Sequence, residues 1–340
     1  MKLFISFLLP ARPHRSRAQR RCYVAGFAVF SFLFVSASAQ NPPATPTPPA
    51  PAGAVGIANY MTAMVTRPPA ELGLDPFYTK YADAFGIPIV ASDQTEDAAL
   101  LVARDIVNYM LAKRPDVRAD LTARGSRVMI MAYEEQQTDL PEYRTMRKPA
   151  KDDPRLTPRE RERYDQPGGI GSRTDQEYWN QRARGMGGVR TSCAEENLLG
   201  RPETGRYYGE HICVHEFSHG IMSALRRVDA ALMKELEAAY ANAKATGLFK
   251  GHYAENTIAE YWAEGTQWWF WSNYAWTDTT RNPPDGVRVF SPDELELYDP
   301  ALFAVLEKVY IGHRIPADIY HGRGLRRAGR GGPASAEASR

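Results

Sequence analysis

The pentapeptide His215-Glu216-Phe217-Ser218-His219 constrains the fold of this chain more than any other stretch. In an α-helix of about 3.6 residues per turn, residues four apart share a face, so the rings of His215 and His219 can meet at one metal ion. Glu216 lies about 100° further round the helix and can reach a water on the open side of that ion. The stretch therefore predicts a helix that carries two metal ligands with a carboxylate beside them, as metal-assisted hydrolysis requires.

A second acidic pair offers the third ligand. Glu260 and Glu264 follow His252 and Tyr253 and are four residues apart, so on a helix they share one face. One carboxylate can bind the metal while the other accepts the N–H of a ligand histidine and fixes the orientation of that ring. Two imidazoles and one carboxylate suit zinc, with a fourth position left for water.

The order and spacing of these residues resemble those of the Glu-zincin metallopeptidases, especially the lethal-factor-like catalytic domains. In that family a tyrosine comes seven residues before the ligand glutamate, as Tyr253 comes before Glu260 here. The glutamate then begins an acidic-aromatic-aromatic-Ala-Glu run, which residues 260–264 match. Residues 195–199 and 294–300 also look like a group of secreted, largely uncharacterised bacterial proteins of this type. The resemblance covers residues 185–310.

This resemblance implies an α+β, mostly helical, zincin-like metallopeptidase fold with a small sheet and an active-site helix pair. It also implies one Zn²⁺ per chain and peptide-bond hydrolysis by a metal-activated water. Carried over residue by residue, the implied roles are zinc ligands at His215, His219 and Glu260, a general base at Glu216, a transition-state donor at Tyr253 with His252 as its helper, and a carboxylate that orients a ligand histidine at Glu264.

The first 39 residues are typical of an export signal. An arginine-rich region precedes an apolar run from Tyr23 to Val35, and Ala37-Ser38-Ala39 forms a small-residue cleavage site. The apolar run is short for a membrane span, so we expect no stable membrane span after cleavage; a retained anchor is the alternative. The predicted location is periplasmic or extracellular.

Removal of this leader reverses the sign of the net charge. The leader holds six of the 42 basic residues and no acidic one, so the mature chain has 36 basic against 40 acidic residues, a net charge of −4. Residues 322–340 hold five Arg and one Glu, so residues 40–321 alone have a net charge of −8. Because phosphate binding needs a basic surface, this balance argues against nucleic acid. The resemblance to the metallopeptidases implies a peptide or protein substrate.

Composition and periodicity divide the mature chain further. Residues 40–54 form a Pro-rich linker, residues 55–321 the metallopeptidase domain with its metal core at about 185–310, and residues 322–340 a disordered Arg/Gly tail. Within the domain, apolar periodicity predicts a helix over 95–113. Residues 127–132 predict a strand, either an edge strand that aligns an extended substrate or an internal strand.

The polar, Pro- and Gly-rich residues 133–190 are expected to form part of the cleft wall. The metal helix is predicted over 209–225, followed by a helix capped at Asp229 that ends at 247. A capping box at 291–294 and a helix over 299–310 follow. The dense aromatic residues of the Glu260 helix are expected to be core rather than a stacking surface.

Two cysteines, Cys193 and Cys213, remain after leader removal. In an oxidising compartment they can form a disulfide that closes a loop of about twenty residues, worth about 3 kcal/mol in loop entropy. Such a bond would brace the start of the metal helix. Two free thiols are the alternative.

The sequence thus favours a secreted zinc-dependent metallopeptidase. Two other functions stay open, a non-catalytic zincin-fold binding protein and a zinc amidohydrolase that acts on a non-peptide or cell-wall amide. Glu216 argues against the binding protein, because a binding site has no need of a general base beside the metal. The amidohydrolase would use the same carbonyl chemistry as a peptidase.

Overall fold

A five-stranded mixed sheet forms one layer of the fold in the computed structural model, which describes residues 64–153, 156, 158–201 and 205–324. The predicted leader (1–39), linker (40–54) and residues 325–340 of the predicted tail lie outside the described residues. In the order β1-β2-β3-β5-β4, the three central strands run parallel and the two edge strands antiparallel to their neighbours. The strands are β1 (Lys80–Asp83), β2 (Pro88–Ala91), β3 (Arg127–Met131), β4 (Gly185–Met186) and β5 (Arg190–Ala194).

Strand β3 confirms the prediction of a strand over 127–132 and settles its place in the sheet. It lies between β2 and β5, so the edge-strand interpretation is wrong and the internal alternative is right. The reason is visible in its composition, because residues 128–131 are apolar without alternation and all four are buried. A parallel strand covered on both faces has this pattern.

Helices and short 3₁₀ turns make up most of the remaining regular structure. Within the described residues the α-helices are α1 (Asp97–Met110), α2 (Pro115–Ala123), α3 (Pro158–Glu162), α4 (Asp175–Arg182), α5 (Glu195–Leu198), α6 (Ile212–Val228), α7 (Ala230–Thr246), α8 (Ile258–Trp269), α9 (Pro292–Tyr298) and α10 (Pro300–Val309). Strands β6 (Trp276–Asp278) and β7 (Val287–Val289) form a separate hairpin. The predicted α+β class with a small sheet is confirmed.

Capping residues set several of these boundaries as the sequence predicts. The Asp229 carboxylate accepts the N–H of Leu232 at 3.0 Å and starts α7, which ends at Gly247 in the left-handed region. The Ser291 capping box starts α9. Helix α6 begins three residues later than predicted, because His211 has an extended backbone (φ −90°, ψ 96°) and is the residue that precedes the first turn.

The main core lies between the sheet and helices α1, α6, α8 and α10. The aromatic residues of α8 are part of it, since Trp262 and Trp268 are fully buried, which confirms the core interpretation. The predicted irregular stretch 133–190 contains α3 and α4 and has a small cluster of its own around Tyr164 and Tyr178. No helix in the described part of the chain combines the length and apolarity that a membrane crossing requires.

Candidate metal centre

Helix α6 presents His215 and His219 on one face, as their spacing predicts. The two ring centroids are 5.0 Å apart. His215 is buried, and burial followed by the charge of His215 lowers the pKa of His219 to about 4, so that its ring is neutral near pH 7. A neutral imidazole is the form that binds a metal ion.

Glu260 reaches this pair from helix α8. Its Oε2 lies 3.0 Å from Nε2 of His215 and 3.7 Å from Nε2 of His219. The helix begins at Thr257, whose hydroxyl accepts the N–H of Glu260 at 3.2 Å and so holds the carboxylate in the first turn. One ligand atom from each of the three predicted zinc ligands lies within 4.8 Å of the others.

Gln267 fixes which nitrogen of His215 faces this cluster. Its side-chain N–H donates to the carbonyl of His211 at 3.2 Å, so its Oε1 accepts from Nδ1 of His215 at 3.0 Å. A neutral His215 then points the lone pair of Nε2 at a Glu260 oxygen 3.0 Å away, and two acceptors at that distance need a proton or a cation between them.

Either a proton or a metal cation can lie between Nε2 of His215 and the Glu260 oxygen. Burial opposes a proton on His215, but the hydrogen bond to Glu260 and the charges of Glu216, Glu260 and Glu264 outweigh it and raise the pKa of His215. A divalent cation satisfies the same carboxylates and also gives His219 Nε2 a partner. The donor set therefore fits a metal ion bound by His215, His219 and Glu260.

Glu216 stands beside the three ligands. Its Oε2 is 4.0 Å from Nε2 of His219. Burial raises the pKa of Glu216 to about 7; the nearby His215 offsets part of this, and Glu260 and Glu210 add to it. A carboxyl group with such a pKa can both take up and release a proton near neutral pH.

Tyr253 lies on a 3₁₀ turn, Tyr253–Glu255, at the open side of the cluster. Its ring is 6.4 Å from the ring of His215, with 27° between the planes. The residue is 44% exposed. Burial of the hydroxyl and the charges of Glu260 and Glu216 raise the pKa of Tyr253, so the group stays protonated and can donate.

His252, the predicted helper of Tyr253, is not a member of the ligand cluster. Its Nδ1 accepts the N–H of Ala254 at 3.2 Å, so its Nε2 carries the proton and donates to the Tyr274 hydroxyl at 3.0 Å. The ring packs against Trp268 and Trp276, with centroids 5.2 and 4.9 Å away. These contacts hold the turn that carries Tyr253.

The sequence predicts that Glu264 accepts the N–H of a ligand histidine, and the structure does not show this hydrogen bond. Its Oε1 is 3.9 Å from Nδ1 of His215, beyond hydrogen-bond range, while its Oε2 accepts from the amide of Asn273 at 2.7 Å. Gln267 occupies the predicted position instead. The sequence already indicated Gln267 as a candidate for this role, because it is polar and shares one helical face with residues 260 and 264.

Glycines of the edge strand let the sheet approach α6 closely. A Cβ on Gly187 would lie 2.4 Å from a ring carbon of His219, and one on Gly185 would lie 3.1 Å from Cγ of Glu216. From the helix side, a Cβ on Gly220 would lie 2.7 Å from the carbonyl oxygen of Gly188. The end of the stretch predicted to form a cleft wall thus lies directly against helix α6.

Cys193 on β5 and Cys213 on α6 are both buried and both free, so the expected disulfide is not formed. Burial first, with contributions from Cys213 and Glu216, raises the pKa of Cys193. Because the thiolate is the species that oxidises, this environment favours the thiol form.

Comparison with the models of known protein families gives no match, and no curated protein matches the sequence.

Proposed function

We propose that this protein is an exported zinc-dependent metallopeptidase with a zincin-like fold. The observation that carries the proposal is the convergence of His215, His219 and Glu260 within 4.8 Å, with the Glu216 carboxyl 4.0 Å from one of these ligands. Peptide bonds are the proposed substrate because the order and spacing of these residues resemble those of the Glu-zincin peptidases.

The residues divide the reaction between them. A zinc ion held by the three ligands would lower the pKa of a bound water and polarise the substrate carbonyl. Glu216 takes the proton of the attacking water and passes it to the leaving amine, which its pKa of about 7 suits. Tyr253 donates its hydroxyl proton in a hydrogen bond to the oxyanion that develops beside Glu260.

The test combines metal content with hydrolysis. Native mass spectrometry is expected to find one zinc in the wild type and in Glu216→Gln, and zinc lost in Glu260→Gln. Peptide hydrolysis is expected in the wild type and to fall at least about a hundred-fold in Glu216→Gln, because the general base is gone.

Glu255→Gln is the matched control, because this carboxylate lies on the neighbouring 3₁₀ turn and pairs with Lys244. It should keep both zinc and activity. Hydrolysis by Glu216→Gln at the wild-type rate, or full zinc content in Glu260→Gln, would contradict the proposal.

A further inference from the structure

The first turn of helix α6 takes its side-chain cap from a distant residue. The N–H of Ile212, the first residue of the helix, is one of the four that have no acceptor within the helix. The residue before a helix commonly supplies a capping side chain. Within the described residues, however, the His211 side chain makes no capping hydrogen bond, and neither of its buried ring nitrogens has a partner. The N–H of Ile212 donates instead to Oδ1 of Asn197, 15 residues earlier, at 2.9 Å.

The amide of Asn197 is buried and uses both its acceptor and its donor group. The residue is 3% exposed. Its Nδ2 donates to the main-chain carbonyl of Glu210 at 2.9 Å and to that of Tyr207 at 3.3 Å. One side chain therefore holds both the segment that leads into α6 and the first residue of the helix.

The start of α6 is important for the candidate centre because His215 and Glu216 follow it closely. The N–H of His215 donates to the carbonyl of His211 at 3.2 Å, which makes His215 part of the first hydrogen-bonded turn. At 1.5 Å per residue, Glu216 lies only about 6 Å along the helix axis from the capped N–H of Ile212. A displacement of the first turn would therefore displace a predicted ligand and the predicted general base.

The short helix α5, which carries Asn197, also holds the edge strand. The carboxylate of Glu196 accepts from Nε and Nη2 of Arg184, both at 2.8 Å, and both side chains are buried. Arg184 directly precedes Gly185, which lies against Glu216. Neighbouring residues of α5 thus bind the edge strand and the start of α6, so that α5 sets the spacing between them.

Tyr320, near the end of the described chain, holds Asn197 in turn. Its hydroxyl donates to the main-chain carbonyl of Asn197 at 3.0 Å, and the residue is 1% exposed. Its ring meets the ring of His211 edge-on, with the centroids 5.5 Å apart. Tyr320 therefore contacts both the capping residue and the residue that precedes the helix.

We propose that Asn197 is a positioning residue for the candidate metal centre. It determines where α6 begins, and thereby where His215 and Glu216 stand relative to Glu260. Asn197 acts through the helix and contacts none of the three predicted ligand side chains. This inference rests on the proposed function and assigns a role to the segment 195–199, which the proposed reaction does not use.

The experiment compares the wild type with Asn197→Ala in three measurements. These are the zinc dissociation constant by competition with a chelator, the visible absorption of the protein loaded with Co²⁺, and the free energy of unfolding without metal by urea denaturation. We expect zinc affinity to fall about ten-fold, the lower end of the range for groups that orient metal ligands. The Co²⁺ absorption bands should shift, because their energies depend on the geometry of the ligands.

A second variant and a control accompany Asn197→Ala. Tyr320→Phe keeps the ring and removes only the hydroxyl group, so it is expected to change zinc affinity and Co²⁺ absorption in the same direction by less, and it replaces Asn197→Ala if that variant does not fold. Ser291→Ala is the matched control, because the Ser291 hydroxyl accepts the N–H of Glu294 at 3.2 Å at the start of α9, a helix without a predicted ligand. It should lower stability and leave metal binding unchanged.

Three results would overturn the inference, and they are distinguishable. Wild-type zinc affinity and Co²⁺ absorption in the folded Asn197 and Tyr320 variants would reduce Asn197 to a structural residue and leave the metal centre in place. An equal loss of zinc affinity in Ser291→Ala would show that reduced stability alone weakens binding. Failure of the wild type to bind either metal would remove the proposed function, and the positioning role would fall with it.

Discussion

Replacing Gln267 by Leu tests which side chain positions the ligand histidine. The substitution removes two buried hydrogen bonds, one accepted from Nδ1 of His215 at 3.0 Å and one donated to the His211 carbonyl at 3.2 Å. His215 then has no partner that selects the tautomer with its Nε2 lone pair towards Glu260. Loss of such an outer partner costs about 10- to 100-fold in metal affinity, which is about 1.4 to 2.7 kcal/mol.

The same change also destabilises the metal-free fold. The buried ring N–H of His215 loses its partner, at about 1 to 3 kcal/mol, whereas the His211 carbonyl still accepts the main-chain N–H of His215 at 3.2 Å. The assay therefore measures two quantities separately, the zinc dissociation constant by competition with a chelator and the free energy of unfolding without metal by urea denaturation. Gln267→Glu is the matched variant, because it retains an acceptor for the His215 N–H but replaces the donor to the His211 carbonyl by a second acceptor oxygen.

The variant Glu264→Gln tests whether Glu264 or Gln267 is the side chain that positions the ring of His215. Since Glu264 is 3.9 Å from Nδ1 of His215, this variant is expected to bind zinc more tightly than Gln267→Leu does. Wild-type zinc affinity in Gln267→Leu, together with weakened binding in Glu264→Gln, would refute the argument and restore the role that the sequence predicts for Glu264.

Three further predictions concern Tyr253, the buried carboxyl group of Asp318 and the two free cysteines. Tyr253→Phe should lower kcat about a hundred- to a thousand-fold with zinc content unchanged, and an unaltered kcat would contradict its role as an oxyanion donor. Burial raises the pKa of Asp318 to about 7. Because this exceeds its unfolded value of about 3.9, the wild type loses stability as the pH rises from about 4 to 7. Asp318→Asn, which cannot ionise, should gain up to about 4 kcal/mol relative to the wild type between pH 4 and pH 8 in urea titrations, and a pH-independent difference would contradict this. Cys193 and Cys213 should react with a thiol reagent only after denaturation, and a disulfide found by mass spectrometry of the unreduced protein would contradict the free-thiol assignment.

Much of the candidate centre was accessible from the sequence because local geometry determines it. Four-residue spacing on a helix places His215 above His219 in any fold, and the side-chain cap at Asp229 starts a helix wherever it occurs. The convergence of Glu260 on this pair depends on tertiary packing. It was anticipated from a resemblance in spacing, and the structure brings the three ligands together.

The remaining features depend on differences that the sequence does not specify. Glu264 and Gln267 share one face of α8, and a difference of about 1 Å in reach decides which one contacts His215. The apolar residues 128–131 are compatible with an internal strand, but the pairing of β3 with both β2 and β5 is seen only in the structure.

The glycines of the edge strand have a consequence for protein engineering. At Gly185 in the strand and Gly187 just after it, the chain approaches helix α6 without a side chain, and alanine at position 187 would place a methyl carbon 2.4 Å from the imidazole of His219. This rim of the cleft is therefore closed to redesign by side-chain exchange. Any library intended to alter what the site accepts would have to vary positions around Tyr253, which is 44% exposed.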